Sequence, residues 1–208
     1  MCGSIKKIIA GQPDSALQKG PLTVGDSLPE FVKKAVFTVN DGTEIMDIQH
    51  TYASALGKWT VLFWWPKDFT FVCPTEIVEF DAHQSEFEKR NTLLIGASTD
   101  SEYVHLAWRK NDPQLSRLQI PMLADTSKSL AESMGILELT EKVAYRATFI
   151  VDPKGIIQWV SIYPMNVGRN VQEVLRVLDA LQTDELTACG WTVGQKTISQ
   201  TRKEMGNV

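Results

Sequence analysis

Short apolar runs rich in β-branched and aromatic residues alternate along the chain with amphipathic segments. Runs of this length and composition, bounded by turn-forming residues, are typical of buried strands. The pattern therefore predicts strands at residues 60–65, 92–98, 122–124, 147–151 and 156–162.

The segments between these runs have the periodicity of helices. After Cys73, for example, Ile77, Phe80 and Phe87 recur at spacings of three and seven and fall on one helical face. The pattern predicts helices at residues 74–90, 101–110, 127–134 and 171–182. Strands that alternate with helices indicate an α/β domain built on a central sheet.

A turn separates the last two predicted strands. The sequence from Asp152 to Gly155 reads Asp-Pro-Lys-Gly, which has the composition of a hairpin turn. Because a hairpin pairs its strands in opposite directions, it makes the central sheet mixed. Periodicity is weak from Thr183 onward, so we interpret the last 26 residues, 183–208, as a C-terminal arm.

Length and charge narrow the class of protein. A chain of 208 residues with 43% hydrophobic and 22% charged residues is an ordinary globular chain of one domain. Its net charge is -4 and no run of Lys or Arg exceeds two, which argues against nucleic acid and anionic membranes as partners. No apolar stretch reaches the roughly 18 residues of a spanning helix, and the first residues lack a secretory pattern. We therefore expect a cytoplasmic protein.

The cysteines and histidines are too scattered for a disulfide framework or a metal site. Zinc sites need closely spaced ligand pairs, and the three cysteines are far apart. They are Cys2, Cys73 and Cys189. The three histidines are equally dispersed and are expected to be surface or hydrogen-bonded side chains: His50, His83 and His105. We predict neither a metal nor a cofactor.

Cys73 stands at the predicted start of a helix, directly before Pro74. The free N–H groups and the positive end of the helix dipole at such a position favour the thiolate, which is the nucleophilic form. Pro74 suits the first turn because its missing N–H would have had no partner. The competing interpretation, a small buried apolar side chain, remains open at this point.

Three chemistries are compatible with a reactive thiol here. Thioredoxin-type exchange needs a Cys-x-x-Cys pair, but Glu76 stands three residues after Cys73, so this chemistry is disfavoured. Cysteine hydrolysis needs a histidine base, and that alternative is weak but open. Reduction of a peroxide needs a thiolate, a cation and a hydroxyl group, and Thr70 could supply the hydroxyl.

The segment "FWWPKDFTFVCPTEIVEF" at residues 63–80 contains the pattern Pro66-x-x-x-Thr70-x-x-Cys73. It resembles the signature of the peroxiredoxins, and in particular their typical two-cysteine branch, the alkyl hydroperoxide reductase C group. The likeness to the actinobacterial type continues in order through "ASTDSEYVHLAW", "YRATFIVDPKG", "VGRNVQEVLRVLDALQTDEL" and "ACGW". It covers most of the chain from Val24 onward.

This resemblance implies a thioredoxin-like α/β fold with a mixed sheet flanked by helices. The implied division is an N-terminal extension at 1–23, the peroxiredoxin domain at 24–182 and an arm at 183–208 that carries the resolving cysteine. The motif places the peroxidatic cysteine at Cys73, with Thr70 and Pro66 beside it. The family's active-site arginine corresponds to Arg146.

Further positions follow from the same resemblance. Arg169 and its acidic partner Glu76 correspond to a supporting polar network; without the motif match they would be interpreted as surface ion pairs. The resolving cysteine corresponds to Cys189, which in the family comes from the partner protomer of a homodimer, often in a decameric ring. Cys2 has no counterpart and is interpreted as incidental.

The implied activity is a thiol-dependent reduction of hydrogen peroxide, organic hydroperoxides and peroxynitrite. Thioredoxin, a flavoprotein disulfide reductase and an alkylhydroperoxidase-type adaptor are the candidate reductants. Thr187 stands where the actinobacterial type carries a further cysteine, so the choice among them stays open. Two other functions are carried as alternatives: a ring-forming holdase for unfolded chains, and a sensor that passes its disulfide to a client protein.

The chain also departs from the members that are inactivated easily by excess peroxide. Many eukaryotic members carry a Gly-Gly-Leu-Gly loop and a terminal Tyr-Phe helix, which slow disulfide formation. Here the loop reads "NDPQLSRL" at 111–118, and no aromatic residue follows Trp191. We therefore predict resistance to overoxidation, so that mass spectrometry after a modest excess of peroxide finds little sulfinic acid at Cys73. Accumulation of sulfinic acid under these conditions would contradict the prediction.

Overall fold

The structure is a computed structural model that describes residues 20–39, 42–50 and 57–206, except for the side chain of His50. These residues form seven strands and six helices. The strands are β1 (Phe31–Val39), β2 (Gly42–His50), β3 (Trp59–Trp64), β4 (Thr92–Ser98), β5 (Met122–Ala124), β6 (Arg146–Val151) and β7 (Ile157–Tyr163). The helices are α1 (Cys73–Ala82), α2 (Gln84–Lys89), α3 (Glu102–Asn111), α4 (Ser129–Ser133), α5 (Val171–Gln182) and α6 (Ile198–Glu204).

All seven strands belong to one mixed sheet with the order β2-β1-β5-β4-β3-β6-β7. Strands β3, β4 and β5 run parallel, whereas β6 pairs antiparallel with β3 and β7 pairs antiparallel with β6. The predicted turn closes the β6–β7 hairpin, since the Asp152 amide donates to the Ile156 carbonyl at 2.9 Å. The predicted α/β fold with a mixed central sheet is confirmed.

The interior position of strand β3 in the sheet explains why its sequence is apolar except for the buried Thr60. Its side chains alternate between the two faces, so that Leu62 and Trp64 belong to one buried cluster and Val61 and Phe63 belong to the other. Helices α1, α3 and α5 cover the second face, where Trp65 continues the alternation. A strand that is covered on both faces has no position for a polar side chain pointing to solvent.

The prediction of one helix at 74–90 is wrong, because the helix is interrupted at His83 and forms the two helices α1 and α2. In a continuous helix the His83 amide would donate to the Glu79 carbonyl. Instead the amide donates to the Phe80 carbonyl at 3.1 Å, and the ring Nδ1 of His83 lies 2.8 Å from the Glu79 carbonyl oxygen. On its other side the ring contacts Gln172, 2.6 Å away. The side chain therefore takes the place of one helical hydrogen bond.

Three elements were not predicted, and some predicted ends shift by one or two residues. The β1–β2 hairpin pairs Val39 with Gly42, and the Asp41-Gly42 dipeptide was its signal in the sequence. Within the predicted arm lies α6, which begins with a capping box between Thr197 and Gln200. The division of the chain at residues 23 and 182 remains a prediction.

Phe80 lies at the centre of the cluster between the sheet and α1. It is fully buried, and its ring stacks on Phe63 with 4.0 Å between the centroids. Replacement Phe80→Ala leaves a cavity and should lower the free energy of unfolding by about 3–5 kcal/mol in urea titrations. The matched control is Phe71→Ala, because Phe71 is 94% exposed and its loss should cost less than about 0.5 kcal/mol. Equal losses in the two variants would contradict the packing described here.

Candidate active site

Cys73 is the first residue of α1, and its side chain is 1% exposed. No side chain caps the start of this helix. The free N–H groups of the first turn are therefore available to an anion at this end of the helix. Strand β3 ends at Trp64, and the loop that begins with Trp65 and the buried Pro66 leads directly into Cys73. This arrangement places a sulfur atom at the positive end of a helix dipole.

Arg146 provides the cation beside this sulfur. It is the first residue of β6 and is 3% exposed. Its Nη1 donates to Cys73 Sγ at 3.4 Å and to Glu76 Oε2 at 2.6 Å, while its Nε donates to the Met165 carbonyl at 2.7 Å. The guanidinium group is thus fixed on two sides, with one nitrogen directed at the sulfur.

Glu76 lies one turn after Cys73 on α1 and accepts from both arginines. Its Oε1 accepts from the Arg169 amide at 2.9 Å and from Arg169 Nε at 2.8 Å. Its Oε2 accepts from Arg146 Nη1 and, at 2.9 Å, from Arg169 Nη2. A carboxylate that is 4% exposed is therefore compensated by two guanidinium groups.

The guanidinium side chain of Arg169 is also buried, with 2% of it exposed. Burial is the main cause that lowers its pKa, and the hydrogen bonds to Glu76 oppose this shift. Its Nη1 donates to the Ala147 carbonyl at 2.8 Å, and the guanidinium carbon lies 5.5 Å from the ring centroids of Phe63 and Phe80. These aromatic faces supply further electrostatic stabilisation to a desolvated cation.

A cavity of about 380 Å³ opens above the sulfur. Pro66, Thr70, Cys73 and Arg146 all line it. The Thr70 hydroxyl donates to the Lys67 carbonyl at 2.9 Å, which leaves its oxygen lone pairs free to accept. The rest of the wall combines apolar and charged side chains: Phe71, Val72, Val143, Met165, Lys67, Glu138 and Glu141. The cavity therefore has room for a small molecule at the sulfur and for an apolar substituent beside it.

Cys189 lies apart from this cavity. It is exposed, and both it and Cys73 are free thiols. It stands in a turn closed by the Trp191 amide, which donates to the Ala188 carbonyl at 3.1 Å. Cys189 lines a separate cavity beside α5, and the residues described around the two cavities do not overlap. Within one chain, the structure does not bring Cys189 to Cys73.

The remaining candidates have no place in the site. Cys2 lies outside the described residues. His105 is fully buried and hydrogen-bonded to Asp68 and to the Leu123 carbonyl, and His83 bonds within the helices, as expected of structural histidines. Among the residues that the structure describes, no group of three or more His, Cys, Asp or Glu side chains could hold a metal ion. The helices of the same residues include none that is long and apolar enough to cross a membrane.

Sequence reasoning missed two contributions to the site. The Met165 carbonyl orients Arg146, and a backbone acceptor leaves no trace in the residue type. Asp68 was also overlooked, although it is a polar residue inside the aromatic segment that carries Cys73.

The fold and the site define a thioredoxin-like α/β protein with a buried cysteine held against an arginine at a helix start. Residues 24–160 match the model of the AhpC/TSA family. Alkyl hydroperoxide reductase C of Mycolicibacterium smegmatis is 46% identical over 186 residues, which span 86% of this chain and 94% of the relative. Peroxiredoxin-2 of Mus musculus is 40% identical over 189 residues, which span 88% and 92%.

Solved structures agree with these relatives. AhpC of Mycobacterium tuberculosis superposes with a TM-score of 0.74 at 45% identity, covering 82% of this chain and 99% of that one. The reduced 2-Cys peroxiredoxin of Plasmodium vivax gives a TM-score of 0.78 at 31% identity, with coverages of 85% and 93%. The chain belongs to the AhpC/TSA family, and the prediction of an enzyme of the thiol peroxidase class is confirmed.

The double pairing of Glu76 generates a stability prediction. Replacement Glu76→Gln removes the only negative charge that the described contacts place between Arg146 and Arg169. Leaving buried cations without a counter-charge should lower the free energy of unfolding by about 3–5 kcal/mol.

Urea unfolding would measure this loss, with Glu173→Gln as the control. Glu173 also pairs with an arginine, Arg176 at 2.7 Å, but on the surface. Exposed pairs contribute about 0–1 kcal/mol. If Glu76→Gln also lowered the free energy of unfolding by only about 0–1 kcal/mol, the two arginines would not depend on Glu76 as a buried counter-charge.

Proposed function

We propose that the protein is a thiol-dependent peroxidase that reduces hydrogen peroxide and organic hydroperoxides, with peroxynitrite as a further substrate. Cys73 is the peroxidatic cysteine, and Cys189 of the partner subunit resolves its sulfenic acid. The observation that carries the proposal is the Arg146 guanidinium, which lies 3.4 Å from Cys73 Sγ in a cavity that Thr70 also lines. The match to relatives named alkyl hydroperoxide reductase and peroxiredoxin supports it.

The first step transfers one peroxide oxygen to sulfur. The Cys73 thiolate attacks an oxygen of ROOH, the S–O bond forms as the O–O bond breaks, and the departing RO⁻ takes up a proton to give ROH. Arg146 Nη1 and the helix-start N–H groups stand where they can stabilise the negative charge as it moves from sulfur to the leaving oxygen. The Thr70 oxygen can accept a hydrogen bond from the peroxide and so orient it.

Thiolate formation alone does not account for fast peroxide reduction. Lowering the pKa of a thiol from about 8.5 to about 6 raises its thiolate fraction at pH 7 about 30-fold. Its nucleophilicity falls over the same range by about 13-fold for a Brønsted slope of about 0.45. The net gain is about twofold. The acceleration must therefore come from groups that bind the reacting oxygens in the transition state.

The second step forms a disulfide. Cys73 sulfenic acid and the Cys189 thiol condense to a disulfide and water, and a dithiol reductant then returns both cysteines to thiols. The separation of the two cysteines in one chain supports resolution between protomers and hence a homodimer. A decameric ring remains a prediction from the resemblance, and a cytoplasmic location remains a prediction from the sequence pattern. The choice among the three candidate reductants stays open.

Peroxide kinetics test the proposed function. Stopped-flow tryptophan fluorescence should detect a fast phase when reduced protein meets hydrogen peroxide, far faster than with a free cysteine, and Cys73→Ser should lack it. Non-reducing electrophoresis should then reveal a disulfide-linked dimer that Cys189→Ser cannot form. Correctly folded protein without the fast phase would refute the peroxidase and favour the holdase or exchange alternatives.

The guanidinium geometry generates a separate prediction. Arg146→Lys keeps a positive charge but loses the planar fork that reaches sulfur, Glu76 and the Met165 carbonyl together. The rate constant of the peroxide phase should fall by about a hundredfold, the typical effect of removing one transition-state donor.

Arg90→Lys is the control for Arg146→Lys. Arg90 forms a partly buried pair with Asp179 that lies outside the Cys73 cavity. The Arg90→Lys variant should therefore react with peroxide at the same rate as the unaltered protein. Full reactivity of the Arg146→Lys variant would refute the assigned role of the fork.

A further inference from the structure

The loop between β3 and α1 is attached to the body of the protein through Asp68. The side chain of Asp68 is 1% exposed, although its neighbours Lys67 and Phe69 are exposed. Its Oδ1 accepts from Trp65 Nε1 at 2.7 Å, and its amide donates to Asp100 Oδ2 at 2.9 Å. A buried carboxylate needs such partners to offset its loss of water.

His105 supplies the third attachment. Its side chain is fully buried, with Nδ1 at 2.6 Å from Asp68 Oδ2 and Nε2 at 3.2 Å from the Leu123 carbonyl oxygen. A carbonyl oxygen can only accept, so Nε2 donates to it and a second proton lies between Nδ1 and Oδ2. Burial raises the pKa of Asp68, and the hydrogen bond from His105 opposes that shift. The Asp68 side chain therefore depends on its donors to stay buried.

The two exposed neighbours of Asp68 make weaker contacts. Lys67 pairs with Glu141, but their side chains are 47% and 59% exposed, and exposed pairs contribute little. Phe69 lies 5.7 Å from the Trp108 ring and has a φ of 54°, a left-handed conformation that costs energy for an aromatic residue. The closed loop therefore contains a strained residue at Phe69, and the buried hydrogen bonds of Asp68 help to hold the loop in place despite this strain.

The two steps of the reaction require different positions of this loop. Peroxide reduction needs Cys73 beside Arg146, where the sulfur is buried. A disulfide needs Cα atoms about 4.4–6.8 Å apart, and Cys73 is 1% exposed in the closed site, so a second cysteine cannot approach it that closely there. The Cys73 segment must therefore open before it can be resolved, and the interactions that hold it closed oppose the second step.

We propose that Asp68, held by His105 and Trp65, is the latch of the Cys73 loop, and that the His105–Asp68 bond determines how the sulfenic acid partitions. This inference rests on the proposed function. In one branch, the Cys73 sulfenic acid and the Cys189 thiol give a disulfide and water. In the other, the sulfenic acid and a second ROOH give sulfinic acid and ROH. Asp68 and His105 are positioning residues, since they act through the loop and do not contact the reacting atoms.

A weaker latch has opposite effects on the two steps. The closed site is less populated, so peroxide reduction slows. The open loop is more populated, so disulfide formation accelerates and less sulfinic acid forms. General damage to the site would instead slow both steps, and this difference in sign separates a latch from a structural role.

Two substitutions of His105 each keep one of its two hydrogen bonds and remove the other. In His105→Asn the amide nitrogen can occupy the position of Nδ1 and still donate to Asp68. In His105→Gln the longer amide can reach the position of Nε2 and the Leu123 carbonyl, but Asp68 loses this donor. The pair thus compares the presence and absence of one hydrogen bond to Asp68.

We expect His105→Gln to accelerate disulfide formation about tenfold, which is the effect of losing one hydrogen bond to a charged group. The peroxide concentration that produces sulfinic acid at Cys73 should rise by a similar factor. His105→Asn should stay close to the unaltered protein. Stopped-flow fluorescence separates the two phases, and mass spectrometry measures sulfinic acid. His83→Gln, which changes a hydrogen-bonded histidine between α1 and α2 and away from the loop, should behave like the unaltered protein. Equal behaviour of the two His105 variants, or slowing of both phases in His105→Gln, overturns the latch.

A second variant covers the case in which His105→Gln fails to fold. Trp65→Phe keeps an aromatic ring but removes the donor to Asp68 Oδ1. Hydrogen exchange of the Asp68 amide should accelerate by more than the loss of global stability accounts for, and disulfide formation should accelerate with it. An unchanged partition despite faster exchange overturns the latch. Absence of a fast peroxide phase in the unaltered protein would instead refute the proposed function, so the two failures are distinguishable.

Discussion

The carboxylate of Glu76 is the interaction on which the site depends. It lies between two guanidinium groups in a place from which water is nearly excluded, and it receives hydrogen bonds from both. Without it, Arg146 and Arg169 would repel each other at short range and burial would be more costly for both. With it, Arg146 can stay buried and still direct one nitrogen to the sulfur of Cys73. The counter-charge makes it possible to keep a buried cation beside the thiol, where its electrostatic effect is stronger than in water.

The sheet brings these residues together from distant parts of the chain. Strand β3 leads to Cys73, and its antiparallel neighbour β6 begins with Arg146 at the same end of the sheet. The segment before α5 supplies Arg169, whose cation rests against the rings of Phe63 and Phe80. The apolar residues that stabilise the fold therefore also hold the charged residues of the site. A cavity at Phe80 would therefore lower the stability of the fold and also remove a contact of Arg169.

The site must be rigid for one step and open for the next. Burial of Cys73 and its contact with Arg146 suit the reaction with peroxide, whereas a disulfide with Cys189 requires the same residue to leave its place. The Asp68–His105 pair lies where the balance between these states can be adjusted without touching the reacting atoms. A buried hydrogen bond is suited to this role because it is lost as a unit when the loop opens. Its strength then affects both steps, in opposite directions.

Much of the fold follows from local patterns. Strands β4 and β5 and helix α5 were predicted with their observed ends. The two strands are short apolar runs, and the buried side of the helix gives an apolar stripe of helical period, so both patterns can be identified from the sequence. The helix break at His83 was not, because it depends on a contact with Gln172 far along the chain. The β1–β2 hairpin was missed because paired lysines interrupt its alternation. For the site, the sequence by itself determined a nucleophile candidate at a helix start, with Pro66 and Thr70 close to it in the chain, and the resemblance added Arg146, Glu76, Arg169 and Cys189. Only the tertiary structure decided that one carboxylate serves both arginines, that Cys189 lies away from Cys73, and that Asp68 anchors the loop. Those features depend on distances between segments that are remote in sequence, and such distances are set by how the sheet and its helices pack.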